Sequence, residues 1–247
     1  MEIHQHTHTP RKKWTHYFWE FFMLFLAVTL GFFVENQREH FIEHKRERQY
    51  IQSFYEDLTA DEYDLQNNIQ YLRAQVQVAD SLRILLKNAT TTQPANHIYM
   101  YLREITRSSS ALLYPNDRTI VQLRNAGGMR LIKNKAVSDS MVGYYRTIEI
   151  IQFLSENALT NKNSLREKYM PLLNADDFSK IVDSTSRILN PSEILHLRKV
   201  DPDLINICLI EVDRIKSISG TLAIRMRRLQ ERAARIKEFI KNEYHLK

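Results

Sequence analysis

Two hydrophobic patterns divide the chain. From Tyr17 to Val34 it reads YFWEFFMLFLAVTLGFFV, apolar all round, with Glu20 its only charge. Beyond that stretch the apolar residues become periodic. They fall at Ile51, Phe54, Leu58, Leu65, Ile69, Leu72, Val76, Ala79, Leu82 and Leu86, in steps of three and four, with one turn skipped at Asp61. Such spacing lines one face of a helix. Residues 35–48 between the two patterns are densely charged and hold no proline or glycine. The pattern therefore predicts one helix from the apolar stretch to about Asn88.

Further helices follow from the same periodicity. One runs from His97 to about Ser108, with Ile98, Tyr101, Leu102 and Ile105 on one side. After Ala111–Tyr114, Pro115-Asn116-Asp117 gives a turn and N-cap signal for a short helix Thr119–Ala126, which Gly127-Gly128 stops. Met129–Asn134 reads as a compact apolar turn. A long helix from Ala136 to about Tyr169 carries Val137, Met141, Tyr144, Ile148, Ile151, Leu154 and Leu165. Asp176–Leu189 reads as a shorter helix, and Ser192–Leu197 as a helical turn introduced by Ser192. The last helix spans Asp203 to about Tyr244, with a seam at Leu204, Cys208, Ile215, Ile218, Leu222, Leu229, Ala233, Ile236 and Ile240. The predicted fold is all-α, with one N-terminal transmembrane helix continuing into a long-helix bundle with coiled-coil-like seams. Its segments are a polar tail 1–13, the transmembrane helix 14–34, a charged juxtamembrane helix 35–50 and a bundle domain 51–247.

The membrane reading of the first pattern rests on length. Eighteen helical residues rise about 27 Å, close to the roughly 30 Å of a hydrocarbon core. Trp14, Tyr17 and Trp19 stand at its front edge, where aromatic rings favour the headgroup level, and Arg11, Lys12 and Lys13 precede them. A cleaved signal peptide would end in small residues, whereas this run ends in Phe32-Phe33-Val34-Glu35-Asn36. A buried core helix is the other rival. Glu20, one turn inside, either snorkels to the interface or meets a partner's basic group or a proton path. Ala27 and Gly31 share a face and allow close helix approach. Basic residues flank both ends, Arg38, Lys45, Arg46 and Arg48 following the span. The three in front lie nearer the bilayer and favour an inside N-terminus.

Composition agrees with helices. Glycine (5) and proline (6) are scarce, too few for the turns of an all-β fold. The net charge of +6 suits anionic lipid as well as nucleic acid. The single cysteine, Cys208, cannot form an internal disulfide and reads as a small core residue.

Few residues suggest chemistry. His4, His6 and His8 alternate in the tail, but ordering three ligands on a flexible segment costs entropy and nothing nearby braces them. His40-Phe41-Ile42-Glu43-His44 matches H-x-x-E-H, which sets two histidines beside a general base as in inverted zinc peptidases. The plainer reading is a solvated juxtamembrane helix, since no third-ligand motif follows. Gly127-Gly128 lacks the preceding strand and Lys-Ser/Thr pair of a phosphate loop. From Arg225 to Lys241, Arg225, Arg227, Arg228, Arg232, Arg235, Lys237 and Lys241 face only Glu231 and Glu238. That helix could bind anionic lipid or nucleic acid. The plainer reading is an outer face whose arginines pair with acids on neighbouring helices. No cofactor or metal is expected.

Two places carry a resemblance. The first is Thr119-Ile-Val-Gln-Leu123-Arg-Asn-Ala-Gly127-Gly-Met-Arg-Leu131-Ile132-Lys-Asn134-Lys135, followed by Asp139, Met141, Tyr144 and Tyr145. The second is the early Glu20 with the charged run Glu35-Asn-Gln-Arg-Glu-His40. Together they resemble an uncharacterised family of single-pass, membrane-anchored helical proteins of Bacteroidetes, a domain of unknown function. This span departs from the family's usual aliphatic run in being Phe-rich. The resemblance implies an architecture and a bacterial inner-membrane location but no activity; with the N-terminus inside, the C-terminal domain is expected to be periplasmic. Physically, the first motif reads as a tight corner plugged by Leu123, Leu131 and Ile132.

Three functions compete. A membrane-anchored interaction protein, scaffold or sensor-like, needs only an anchor and packed helices. Its partners would be the bilayer and an unidentified protein, with a homo-oligomer possible. A basic module would use Arg225–Lys241, although nucleic acid is the less expected ligand. A zinc hydrolase would use His40, Glu43 and His44. The expectation adopted is the first, without catalysis.

Overall fold

The computed structural model describes residues 14–107 and 113–246. The tail with His4, His6 and His8, the basic Arg11, Lys12 and Lys13, and the positions Ser108 and Ala111 lie outside them. Among the described residues the protein is all-α. Its helices are α1 (Trp14–Lys87), α2 (Asn96–Ile105), α3 (Arg118–Asn125), α4 (Lys135–Tyr169), α5 (Ala175–Ser179) and α6 (Pro202–Tyr244), with 3₁₀ turns at Gly128–Leu131 and Met170–Leu172. No strand occurs there, only an isolated antiparallel bridge between Val182 and Ile188. The chain divides into two compact units, Met1–Gln49 and Tyr50–Lys247.

In the first unit the described residues form only the N-terminal part of α1. Its apolar side chains from Trp14 to Val34 are exposed. No proline interrupts α1, and its one glycine, Gly31, is tolerated at modest cost in a helix interior.

The second unit is built on the rest of α1 with α4 and α6. Ion pairs fix their directions. Arg83 meets Asp213 at 2.7 Å and Glu62 meets Lys237 at 2.8 Å, so α6 runs antiparallel to α1. Asp61 of α1 lies by Tyr144, and Tyr71 by Lys162, so α4 runs parallel to α1. A parallel helix pair needs a return connection, and residues 88–134 supply it through α2 and α3.

The seam positions predicted on α1 are buried except Val76, which is half-buried beside the buried Gln75. Leu204 and Ile218 of α6 and Leu154 of α4 are likewise half-buried. Two apolar clusters result. One gathers Ile51–Leu72 of α1, Val137–Ala158 of α4 and Leu222–Ile240 of α6. The other gathers Ala79–Leu86, α2, Leu165–Leu172 and Ile205–Ile215. Where they meet along the long helices, each helix buries a polar residue: Gln75, Lys162 and Ser219.

Two sequence expectations fail between α4 and α6. The helix predicted over Asp176–Leu189 is helical only at Ala175–Ser179. The chain then folds back, because Asp183 Oδ1 accepts from the backbone N–H groups of Thr185 (2.8 Å) and Arg187 (2.9 Å). This local closure competes with helical hydrogen bonding. Ser186 takes the left-handed conformation at φ 63°, and Leu189 donates to the Ile181 carbonyl at 2.8 Å. Ser192–Leu197 is not a helical turn either. It is drawn out along the start of α2, where Asn96 Oδ1 accepts from Leu195 N and Asn96 Nδ2 donates to the Glu193 carbonyl. The helix predicted to reach Ser108 ends at Ile105.

Candidate functional site

The residues singled out from the sequence fall in separate places. Trp14, Tyr17, Trp19, Glu20, Ala27 and Gly31 lie on the apolar part of α1. That part is long and apolar enough to cross a membrane, and none of its most apolar window is buried. Glu20 sits one turn from His16, with Oε1 at 3.2 Å from Nε2. Around Gly31 an added methyl would meet open space, so that face is free for close approach. An exposed apolar helix of this length would be an aggregation liability in water.

His40, Glu43 and His44 lie on the charged stretch after it. His40 and His44 are exposed, and His44 Nδ1 stands 3.5 Å from Glu47. Among the described residues no group of three or more His, Cys, Asp or Glu side chains is placed to hold a metal.

The motif from Thr119 to Tyr145 does come together, in the second unit. Leu123 and Ile132 are buried in the first cluster and Leu131 is half-buried. Gly127, at φ 60°, ends α3 in the left-handed conformation that favours glycine. Asn134 caps α4 by accepting from Ala136 N and Val137 N, and its amide donates to Glu243 at 3.0 Å. Lys135 opens α4 exposed. The predicted cap of α3 is different. Asp117 makes no side-chain cap bond. Asp57 of α1, 4 % exposed, accepts instead from Thr119 N at 3.2 Å and from Thr119 Oγ1.

One turn along α1, Asp61 sits in the same polar knot. Only 1 % exposed, it accepts from Asn116 N (2.8 Å), Asn116 Nδ2 (2.9 Å) and the Tyr144 hydroxyl (2.9 Å). The Tyr145 hydroxyl donates to the Asn116 carbonyl at 3.0 Å. Burial pushes the Asp61 carboxyl above its usual range, opposed by the bonds from Asn116 and Tyr144. Burial also raises the hydroxyls of Tyr144 and Tyr145. The knot thus ties the return connection, α3 and α4 to α1. A raised carboxyl stabilises the fold below its unfolded value, and that contribution is lost as pH rises through the folded value. Asp61→Asn is therefore expected to fold at neutral pH and to flatten that decline. Asp61→Leu leaves the Asn116 and Tyr144 donors unpaired and is expected to lose about 1–3 kcal/mol for each. Urea unfolding of the three chains between acid and neutral pH checks both outcomes.

A second polar group lies where the two clusters meet. Lys162, 4 % exposed, donates to the Arg107 carbonyl (3.1 Å) and the Tyr71 hydroxyl (3.2 Å). Arg166 donates to the Thr106 carbonyl, and Gln75 Nε2 to the Glu104 carbonyl at 3.2 Å. These donors satisfy carbonyls at the C-terminal end of α2, where positive charge is favoured. Burial lowers the Lys162 ammonium to about 8, with Glu104 opposing. The unfolded chain keeps this proton to about 10.5, so between the two values it binds more protons and stability rises with pH. Relative to Lys162→Met, the unmodified chain is expected to gain on the order of 3 kcal/mol across that window. Chemical denaturation from pH 7.5 upward checks it.

On α6 the basic residues are less paired than the sequence suggested. Lys237 meets Glu62 and lies over the Tyr55 ring, and Arg232 donates to Thr147 Oγ1 at 3.2 Å. Arg225, Arg227, Arg228 and Arg235 are exposed, with no acid partner among the described residues. Asp57 and Lys162 went unnoticed in the sequence; Asp61 showed there only as a break in an apolar seam, and Asn116 only as part of a turn signal.

No family model matches the chain, and no curated protein and no solved structure matches it.

Proposed function

We propose that this chain is a membrane-anchored helical interaction protein of the bacterial envelope, scaffold or sensor-like, without catalysis of its own. One observation carries the proposal: the apolar part of α1 is exposed along its length, and it leads into a packed helical unit. Asp57, Asp61, Gln75 and Lys162, buried in that unit, each bond across to another segment, which suits a structural body. The seams of α1 and α6 serve as internal, coiled-coil-like packing faces. The resemblance to the Bacteroidetes family supports the same architecture. An inner-membrane span fits that resemblance, and the three basic residues before it, Arg11, Lys12 and Lys13, favour a cytoplasmic N-terminus and a periplasmic unit after the span.

The test is photocrosslinking of the full chain in its own membrane. Crosslinkers at Phe153 and Ile224, 63 % and 57 % exposed, are expected to give discrete adducts. An adduct at twice the chain mass identifies self-association. Absence of any adduct from either position contradicts the proposal. A C-terminal topology reporter is expected to signal the periplasmic side, and a cytoplasmic signal reverses the orientation.

A second reading is favoured by Arg225, Arg227, Arg228 and Arg235 of α6, which are exposed and have no acid partner among the described residues. A basic surface of this kind attracts anionic lipid headgroups, with salt-dependent affinity. Arg227→Gln with Arg228→Gln and Arg235→Gln is expected to leave folding unchanged. Loss of cosedimentation with phosphatidylglycerol vesicles by residues 50–247, at low salt, supports this reading. Equal cosedimentation by both chains removes it.

A further inference from the structure

The end of α4, its 3₁₀ extension and α5 border a half-open hollow of about 240 Å³, lined by Tyr169, Met170, Leu173, Asn174, Ala175, Phe178 and Arg198. Ring, thioether and aliphatic groups make up most of that lining. Asn174 is committed elsewhere: its side chain caps α5, and its N–H donates to the Tyr99 hydroxyl at 2.7 Å. Among the described residues, Arg198 is the only charged one lining the cavity. It is exposed, and its guanidinium has no ion-pair or hydrogen-bond partner among the described residues. Its neighbours differ: Lys199 is paired with Asp201 at 2.9 Å, and Lys180 with Glu193.

The walls are held from outside the cavity. Tyr169 is 1 % exposed and its hydroxyl lies 3.4 Å from Thr106 Oγ1. The Arg198 backbone donates to the Leu172 carbonyl at 2.9 Å, which fixes the strap carrying the guanidinium beside the 3₁₀ turn. A preformed apolar hollow with one convergent polar group is the usual form of a small-molecule site. Drug-sized sites run to roughly 300–1,000 Å³, so this hollow takes something smaller. A planar guanidinium selects a carboxylate, which it holds through two parallel bonds.

We propose that this cavity binds a small organic acid, with an aromatic or short aliphatic body against Tyr169, Leu173 and Phe178 and its carboxylate on Arg198. The site is independent of the membrane reading, since all its residues lie between 169 and 198. It would give the helical unit a ligand to sense.

The test uses the full chain in detergent, with the Met170 methyl carbon labelled with ¹³C, and 3-phenylpropionate as the probe. The probe is expected to shift the Met170 resonance saturably. Arg198→Gln is expected to weaken binding at least about tenfold, as is replacing the acid with 3-phenylpropan-1-ol. Ala175→Trp, which fills the mouth from an exposed position, is expected to abolish the shift while the circular dichroism stays unchanged. Three results each overturn the proposal: no saturable Met170 shift at millimolar probe, equal affinity for acid and alcohol, or unaltered affinity in Arg198→Gln.

Discussion

Leu72→Asp is expected to unfold the unit Tyr50–Lys247. Leu72 is 2 % exposed, in the cluster shared by α1, α4 and α6. The nearest buried polar layer, at Gln75, Lys162 and Ser219, begins one turn away. An aspartate at 72 would sit on the apolar side of it. An uncompensated buried charge costs about 3–5 kcal/mol, and the burial of the leucine is lost as well. Domains of this kind hold roughly 5–15 kcal/mol in total, so most or all of the stability goes. Leu222→Asp tests the same cluster from α6, where Leu222 is fully buried. Circular dichroism with thermal melting reads both. A fully helical, cooperatively melting Leu72→Asp chain that had lost only self-association would show that the α1 seam serves an intermolecular coiled coil.

The second large effect concerns the apolar part of α1. Leu24→Arg with Leu26→Arg puts two charges near the middle of the apolar stretch. Each costs about 2.5–3.5 kcal/mol at the centre of a spanning helix, roughly 5–7 kcal/mol together. The double variant is expected to leave the membrane fraction, with the second unit still helical. Leu24→Ala with Leu26→Ala is expected to stay. An arginine variant that fractionates like the parent would mean that this stretch is held by something other than lipid.

Much of the helical layout was legible because it depends on local pattern. The end of α1 near Asn88, the glycine stop after α3, Asn134 before α4 and Pro202 at the start of α6 are all set by neighbouring residues. What escaped depends on contacts far apart in sequence. Asp61 looked like a missing seam position; it is buried because Asn116, 55 residues away, and Tyr144, 83 away, both donate to it. Asp57 likewise caps a helix that begins 61 residues later. The spurious helix over Asp176–Leu189 had adequate composition, but Asp183 satisfies the backbone locally and turns the chain. Ser192–Leu197 is held by Asn96, which no sequence window of helical length includes. The cavity beside Arg198 was illegible for the same reason, since its walls come from the end of α4, from α5 and from the strap before α6.

Alkaline carbonate extraction of the intact chain reads out whether α1 anchors it in the membrane. Carbonate strips proteins held by charge or by other proteins and leaves spanning helices in lipid. The chain is expected to remain in the membrane pellet after carbonate and after high salt, and to enter solution only with detergent. Release of the intact chain into the carbonate supernatant would contradict it.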